Sequence, residues 1–275
     1  MPAEQPPFFA GRRRQLERGL SVRLPPRPDL VLVTDLDGTL LGGSPRWRRR
    51  LYRWLSTRRE SVLHVFNTGR DLSSIARLLK EEAAMGMGAP HLVISDVGCT
   101  VACGASLRPI PLVVEPIERR WRGQAERVLP LLRTIPGLSA QPVSTVRRLA
   151  YLIDPALLDR SRLGAVAAHG VDCLVSGDKY LDVLPAGVNK GSTLNALITW
   201  LEVTPDTVVT AGDSLNDLAM FETGLRGVMV GNAEPGLVEA LPRLRSIYQA
   251  RAHGCAGIVE GLRHFGFGSL LAGHF

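Results

Sequence analysis

The chain has 275 residues, 45% of them hydrophobic, and 33 Lys and Arg against 26 Asp and Glu give a formal net charge of +7. That length can bury one large core or two smaller ones, and no apolar run approaches the ~18 residues of a membrane span. The four cysteines, Cys99, Cys103, Cys173 and Cys255, offer neither a zinc-type spacing nor a disulfide framework, so buried thiols and a reducing, cytoplasmic setting are expected.

Residues 1–28 read as a loose Pro- and Arg-rich extension. Phe8 and Phe9 lie in no apolar segment of the kind a secretory signal needs. Six arginines against two glutamates concentrate the basicity there. The runs Arg12–Arg14 and Arg48–Arg50 read as solvated surface, and nucleic acid is not expected as a partner. The mildly positive remainder suits a small anionic substrate.

The stretch "DLVLVTDLDGTLLGG" (29–43) is an apolar strand running into Asp35 and Asp37. Two carboxylates so close resist burial, which calls for a cation. "SPRWRRRLYRWLSTRRE" (44–60) follows as a helix started by Ser44–Pro45, with Trp47, Leu51, Trp54 and Leu55 on one face. A strand over 61–70 ends in Thr68, Gly69 and Arg70; a helix over 71–85 has Asp71 in its first turn; a strand covers 90–98. This alternation predicts a parallel, doubly wound α/β sheet.

From about 107 to 182 the pattern changes. Helical stretches near 116–134 and 155–170 and an alternating strand over 147–154 predict an inserted α+β domain. Alternation then resumes with a helix near 191–202, a strand over 207–213, a helix over 215–224, a strand over 226–232 and a helix near 235–241. The expected organisation is an extension over 1–28, a core built from 29–106 and 183–275, and an insert over 107–182.

Ligands of such sheets bind beyond the carboxyl ends of the strands. Those ends carry Asp35 and Asp37; Thr68, Gly69 and Arg70; Lys190; and Asp213, Asn216 and Asp217. Carboxylates suit Mg²⁺, while a hydroxyl, an ammonium and backbone N–H groups suit phosphate. Lys190 is one of only three lysines, with Lys80 and Lys179; in so Arg-rich a chain it reads as a chosen point charge. Each piece alone is also an ordinary turn or helix cap.

Together, "DLDGT", Thr68, Lys190 and "GDSLND" resemble the four motifs of the haloacid-dehalogenase (HAD) superfamily of aspartyl phosphotransferases. The stretches "SGDKYLDVLPAGVNKGSTL", "GDSLNDLAMFETGLRGVMVGNAEP" and "HGCAGIVEGLRHF" resemble the sucrose-phosphate phosphatase-like group. The resemblance implies a Rossmann-like core with a C2-type cap and Mg²⁺-dependent hydrolysis of a sugar or disaccharide phosphate, such as sucrose 6-phosphate or mannosylfructose phosphate. By the same resemblance Asp35 would be the nucleophile and Asp37 the general acid/base. The metal would be held by Asp35, the backbone carbonyl of Asp37 and Asp213, with Asp217 beside them. Thr68 and Lys190 would hold the phosphoryl group, with Gly38, Thr39, Gly69, Arg70, Asn189 and Asn216 around phosphate and substrate. In the cap, Arg148 stands where the group has lysine and Ala150 where it has serine, while Tyr151 remains; Gln141, Arg147, Arg148 and Asp178 are the cap candidates. A carboxylate at Asp37 points to a phosphatase or a phosphomutase. A broad metabolite phosphatase and a non-catalytic binding module are the other readings. The synthase that makes the substrate is the expected protein partner.

Overall fold

The computed structural model describes residues 11–275. In chain order the elements are α1 (Arg12–Glu17), β1 (Leu30–Thr34), α2 (Pro45–Thr57), β2 (Val62–Asn67), α3 (Leu72–Glu81), β3 (Leu92–Ser95) and β4 (Thr100–Cys103). Next come α4 (Pro111–Trp121), α5 (Gln124–Leu132), β5 (Leu138–Gln141), β6 (Leu149–Ile153), α6 (Ser161–Ala167), β7 (Val171–Ser176) and β8 (Tyr180–Pro185). The chain closes with α7 (Lys190–Leu201), β9 (Val208–Gly212), α8 (Leu218–Phe221), β10 (Arg226–Met229), α9 (Pro235–Ala240), β11 (Ile247–Gln249), α10 (Gly254–His264) and α11 (Gly268–Leu271).

Seven strands form one sheet in the order β11-β10-β9-β1-β2-β3-β4. Residues of β1, β2 and β9 are buried without exception, because helices cover both faces, and strands hidden on both sides are predominantly apolar. From β1 the chain proceeds outward through β2 and β3, and later through β9, β10 and β11 on the other side. The order therefore reverses between β1 and β9, whose register pairs Thr34 with Ala211. A crevice opens at such a reversal, at the carboxyl ends of the two central strands.

The other four strands form a separate antiparallel sheet, β5-β6-β8-β7. It has its own core with α4, α5 and α6, built around Trp121, Val128, Leu132, Tyr151, Val166, Leu181 and Val183. A small apolar group, Val97, Cys99, Ile117, Leu184 and Val188, joins it to the large sheet.

Several expectations need correction. Residues 11–28 are packed rather than loose: Leu16 and Leu24 are buried in the same cluster as Leu197 and Leu201 of α7, since two apolar side chains in a basic segment gain more from the helix surface than from water. Residues 1–10 of the expected extension lie outside the described residues. The single helix expected near 116–134 breaks into α4 and α5 at Gly123, whose φ of +76° no helix accommodates. The insert boundary at 182 would cut β8, which continues to Pro185. The sheet is not wholly parallel either: β4 returns antiparallel to β3 through a tight turn in which Asp96, Val97 and Gly98 all have positive φ. Both β11 and the long α10 lay outside the expected pattern. Among the described residues all four cysteines are unpaired, and no helix is long and apolar enough to cross a membrane.

One buried polar pair lies inside the large sheet. His64 Nε2 is 3.1 Å from Thr34 Oγ1, and the His64 N–H donates to His91 Nδ1 at 3.0 Å. Burial pushes His64 down to about 3 and His91 down to about 4, with Arg59 adding to the effect on both. Both are therefore neutral when folded, while the unfolded chain takes up protons near the ordinary histidine value of about 6.5. Their stabilising contribution is complete above that value and is lost as pH falls below it toward their folded values, by at most ~1.4 kcal/mol per pH unit for each histidine. Urea unfolding from about pH 7 to about pH 5 reads this loss as a difference between the unmodified protein and a His91 variant, because buried carboxylates with raised values, Asp35 and Asp213, stabilise the fold as they protonate over the same range. His91→Asn, whose Oδ1 can accept the same N–H, should lose stability less steeply; an unchanged slope would remove His91 from the account.

Candidate active site

Asp35 stands at the carboxyl end of β1, and its N–H donates to the Ala211 carbonyl at 2.9 Å. The chain then makes one wide turn over Leu36–Leu40, interrupted by extended Asp37 and by Gly38 at φ 76°. Leu36 points into the core and is fully buried. Gly38 is required twice over: its φ is left-handed, and a Cβ there would collide with the Asp213 carboxylate. Thr39 Oγ1 donates to Asp213 Oδ1 at 2.7 Å, so Thr39 orients a carboxylate rather than a phosphate.

Lys190 is the first residue of α7 and is completely buried. Its Nζ donates to Asp35 Oδ1 at 2.6 Å, to Asn216 Oδ1 at 2.6 Å and to Asp217 Oδ1 at 2.7 Å. Three ammonium protons thus meet three acceptors, which is all that Lys can donate. Burial opposes the charge on Lys190, but Asp217 and Asp35 outweigh it and raise its pKa. The other oxygen of Asp217 accepts the N–H groups of Asp213 (3.0 Å) and Ser214 (3.1 Å), closing the turn after β9.

Asp35, Asp213 and Asp217 each offer an oxygen within 4.8 Å of the others. Burial, reinforced by Asp217 and Asp213, pushes Asp35 up to about 8 in spite of Lys190. Burial and the neighbouring Asp217 push Asp213 up to about 7 against the Thr39 hydrogen bond. One ammonium does not neutralise three crowded carboxylates. A hard divalent cation with oxygen ligands fits this donor set.

The adjoining loop carries Thr68, buried at the end of β2. Its N–H donates to the Ile94 carbonyl (2.9 Å), and its Oγ1 accepts the Arg70 N–H at 3.2 Å. The Arg70 guanidinium grips Asp37 with two bonds of 2.6 and 2.7 Å. It is thereby engaged by a carboxylate rather than directed at a phosphate site, and the Asp37 carboxylate, 60% exposed, is not among the three that converge.

Other expected site residues have other duties. Asn189 caps α7, its Oδ1 accepting the N–H groups of Gly191 (3.0 Å) and Ser192 (2.8 Å), as a short polar side chain before a helix does. Asp178 lies in the exposed turn between β7 and β8, paired with Arg160. Gln141 ends β5 opposite Ala150. Arg147 donates to the Cys99 carbonyl (3.0 Å), Thr100 Oγ1 (2.8 Å) and Glu118 (2.9 Å). Arg148 is buried between the two sheets, bonded to Asp96, Asp182 and the Gly69 carbonyl. Both arginines are thus held by protein groups rather than presented to a substrate. The residues missed were Asp96 and Asp182. Asp96 stands at the end of a strand as Asp35 does, a visible signal; Asp182, inside an apolar run, gave none.

Residues 28–266 match the family model described as sucrose-6F-phosphate phosphohydrolase. A glucosylglycerol-phosphate synthase of Pseudomonas anguilliseptica is 41% identical over 86% of this chain, which spans only 31% of that relative's length. A mannosylfructose-phosphate phosphatase of Agrobacterium fabrum is 31% identical over 87% of this chain and 98% of its own. The solved structure of the sucrose-phosphatase from Synechocystis sp. PCC6803, in complex with sucrose and phosphate, superimposes with a TM-score of 0.77 at 24% identity, covering 86% of this chain and 98% of that one. The α/β core with its inserted second sheet is shared with that structure.

The buried ammonium gives a direct test. Lys190→Met should lower stability by about 3–5 kcal/mol, because it strands buried carboxylates without their partner. The measurement is chemical denaturation in the presence of a chelator, so that no cation compensates. Adding Asp217→Asn should recover part of the loss; a cost below about 1 kcal/mol for Lys190→Met would contradict the charge balance described.

Proposed function

The chain belongs to the sucrose-6F-phosphate phosphohydrolase family, and we propose that it is an Mg²⁺-dependent phosphatase acting on the phosphate ester of a glycosylated sugar or polyol. The observation that carries this reading is the contact of Lys190 Nζ with Asp35 and Asp217, beside Asp213, at the strand-order reversal. Phosphoryl transfer needs in-line positioning and charge neutralisation, which Lys190 and a cation bound by these carboxylates would serve together. Mg²⁺, held by Asp35 and Asp213 with Asp217 alongside, would neutralise charge on the transferring group.

Asp35 attacks phosphorus, forming an O–P bond as the bond to the sugar oxygen breaks. Asp37, once released by Arg70 and protonated from solvent, gives that proton to the departing oxygen and then takes one from the water that hydrolyses the aspartyl-phosphate. Lys190 fixes the attacking carboxylate, and the Thr68 hydroxyl would donate to a phosphoryl oxygen. The buried Asp217 holds Lys190 in place.

The relatives' names support a substrate class. A phosphatase unit within a glucosylglycerol-phosphate synthase would remove the phosphate that the synthase leaves on its product. Glucosylglycerol phosphate is accordingly the first candidate, ahead of mannosylfructose phosphate and sucrose 6-phosphate, and a synthase of that kind is the proposed partner. We place the chain with the phosphatases rather than the phosphomutases on its match to the phosphohydrolase model.

A panel of hexose, disaccharide and glycosylglycerol phosphates should show phosphate release, greatest for the glycosylated esters. EDTA should abolish the release and Mg²⁺ restore it, and Asp35→Asn should reduce turnover to background with the fold intact. Full activity in Asp35→Asn, or interconversion of hexose phosphates without phosphate release, would overturn the assignment.

A further inference from the structure

We propose that Arg148, immediately before β6 of the inserted sheet, is a positioning residue that orients the Thr68 hydroxyl of the core, so that the phosphate-binding group is assembled only when the two sheets are docked. This deepens the phosphatase reading and rests on it.

The argument runs through one peptide plane. Arg148 Nη2 donates to the Gly69 carbonyl at 3.1 Å. That carbonyl and the Arg70 N–H belong to the same planar, trans peptide unit, so they point in opposite directions. Fixing the oxygen on the Arg148 side aims the N–H the other way, where it meets Thr68 Oγ1 at 3.2 Å. A hydroxyl that accepts this N–H has its oxygen fixed and its own proton left to donate to an incoming phosphoryl oxygen.

The guanidinium is itself held on both sides. It bonds Asp96 Oδ1 at 3.2 Å from the core and the Asp182 carboxylate from β8. Asp96 also accepts hydroxyl protons from Ser95 (3.1 Å) and Thr100 (2.8 Å). The turn that carries Asp96 is tied to the same loop: its N–H donates to the Arg70 carbonyl at 3.0 Å, and the Val97 N–H to the Thr68 carbonyl at 3.2 Å. Consequently Arg148 is 7% exposed, and its planar fork suits several directional acceptors at once, as a lysine ammonium would not. A second bond joins the units at this loop, the Ser144 N–H donating to Asp71 Oδ2 at 3.2 Å.

A coupling cycle between Arg148→Met and Thr68→Val tests the idea, read by hydrolysis of p-nitrophenyl phosphate, which has no sugar, and by affinity for inorganic phosphate. Arg148→Met alone should slow p-nitrophenyl phosphate turnover by about 10- to 100-fold, the scale expected for a misplaced catalytic contact. It should weaken phosphate binding in parallel, and Arg148→Lys should recover only part of each. In the Thr68→Val background the same change should cost almost nothing further, because the group it positions is already gone. Losses that multiply in the double variant would overturn the inference. So would an effect confined to KM for sugar esters with p-nitrophenyl phosphate unaffected, which would make Arg148 a sugar contact. Where Arg148→Met does not fold, Arg148→Lys carries the same cycle. If the unmodified protein releases phosphate from no ester, the phosphatase reading fails, while the phosphate-affinity cycle still decides the coupling.

Discussion

The buried ammonium of Lys190 is the contact on which the site depends. Asp35 and Asp217 are almost wholly removed from water, and Lys190 Nζ reaches both. Without it the carboxyl ends of β1 and β9 would bring anions together in a low-dielectric crevice, where Coulomb repulsion is strongest. The lysine acts at such short range because α7 begins beside the crevice. Asn189 fixes that beginning, and Gly98 and Gly191 allow the close approach: a Cβ on either would strike backbone, of Asn189 in one case and of Ala219 in the other. A helix cap and two glycines therefore serve an electrostatic purpose.

Much of this centre was legible in the sequence because strand ends are legible. An apolar run that stops at Asp35, or at Asp213 after "TVVTAG", places the carboxylate at the edge of a buried sheet without any knowledge of distances. Lys190 stood out by rarity. The direction in which long side chains turn was not legible. Arg70 and Arg148 carry the same charge as any phosphate-binding arginine, and only in the folded chain is it visible that carboxylates have already claimed them. Asn189 in "GVNKGST" reads equally well as a ligand or a cap. The packing of residues 11–28 depended on Leu16 and Leu24, two apolar residues hidden in a composition dominated by arginine and proline.

Two buried charge clusters flank the Thr68 loop, and their difference indicates where an extra cation belongs. Around Arg148, the carboxylate of Asp96 receives hydroxyl protons from Ser95 and Thr100 as well as the guanidinium, and Arg147 bonds Thr100 in turn. That network is polar, closed and balanced by donors of its own, which is the condition for a buried ionic group to be tolerated. Around Lys190, the ammonium bonds two of three crowded carboxylates, and among the described residues Asp213 takes a side-chain hydrogen bond from Thr39 alone. The first cluster can stay closed as a structural joint between the sheets. The second keeps an excess of negative charge beyond the carboxyl ends of β1 and β9, a demand that a divalent ion can meet and an anion alone cannot, since an anion would add to the repulsion.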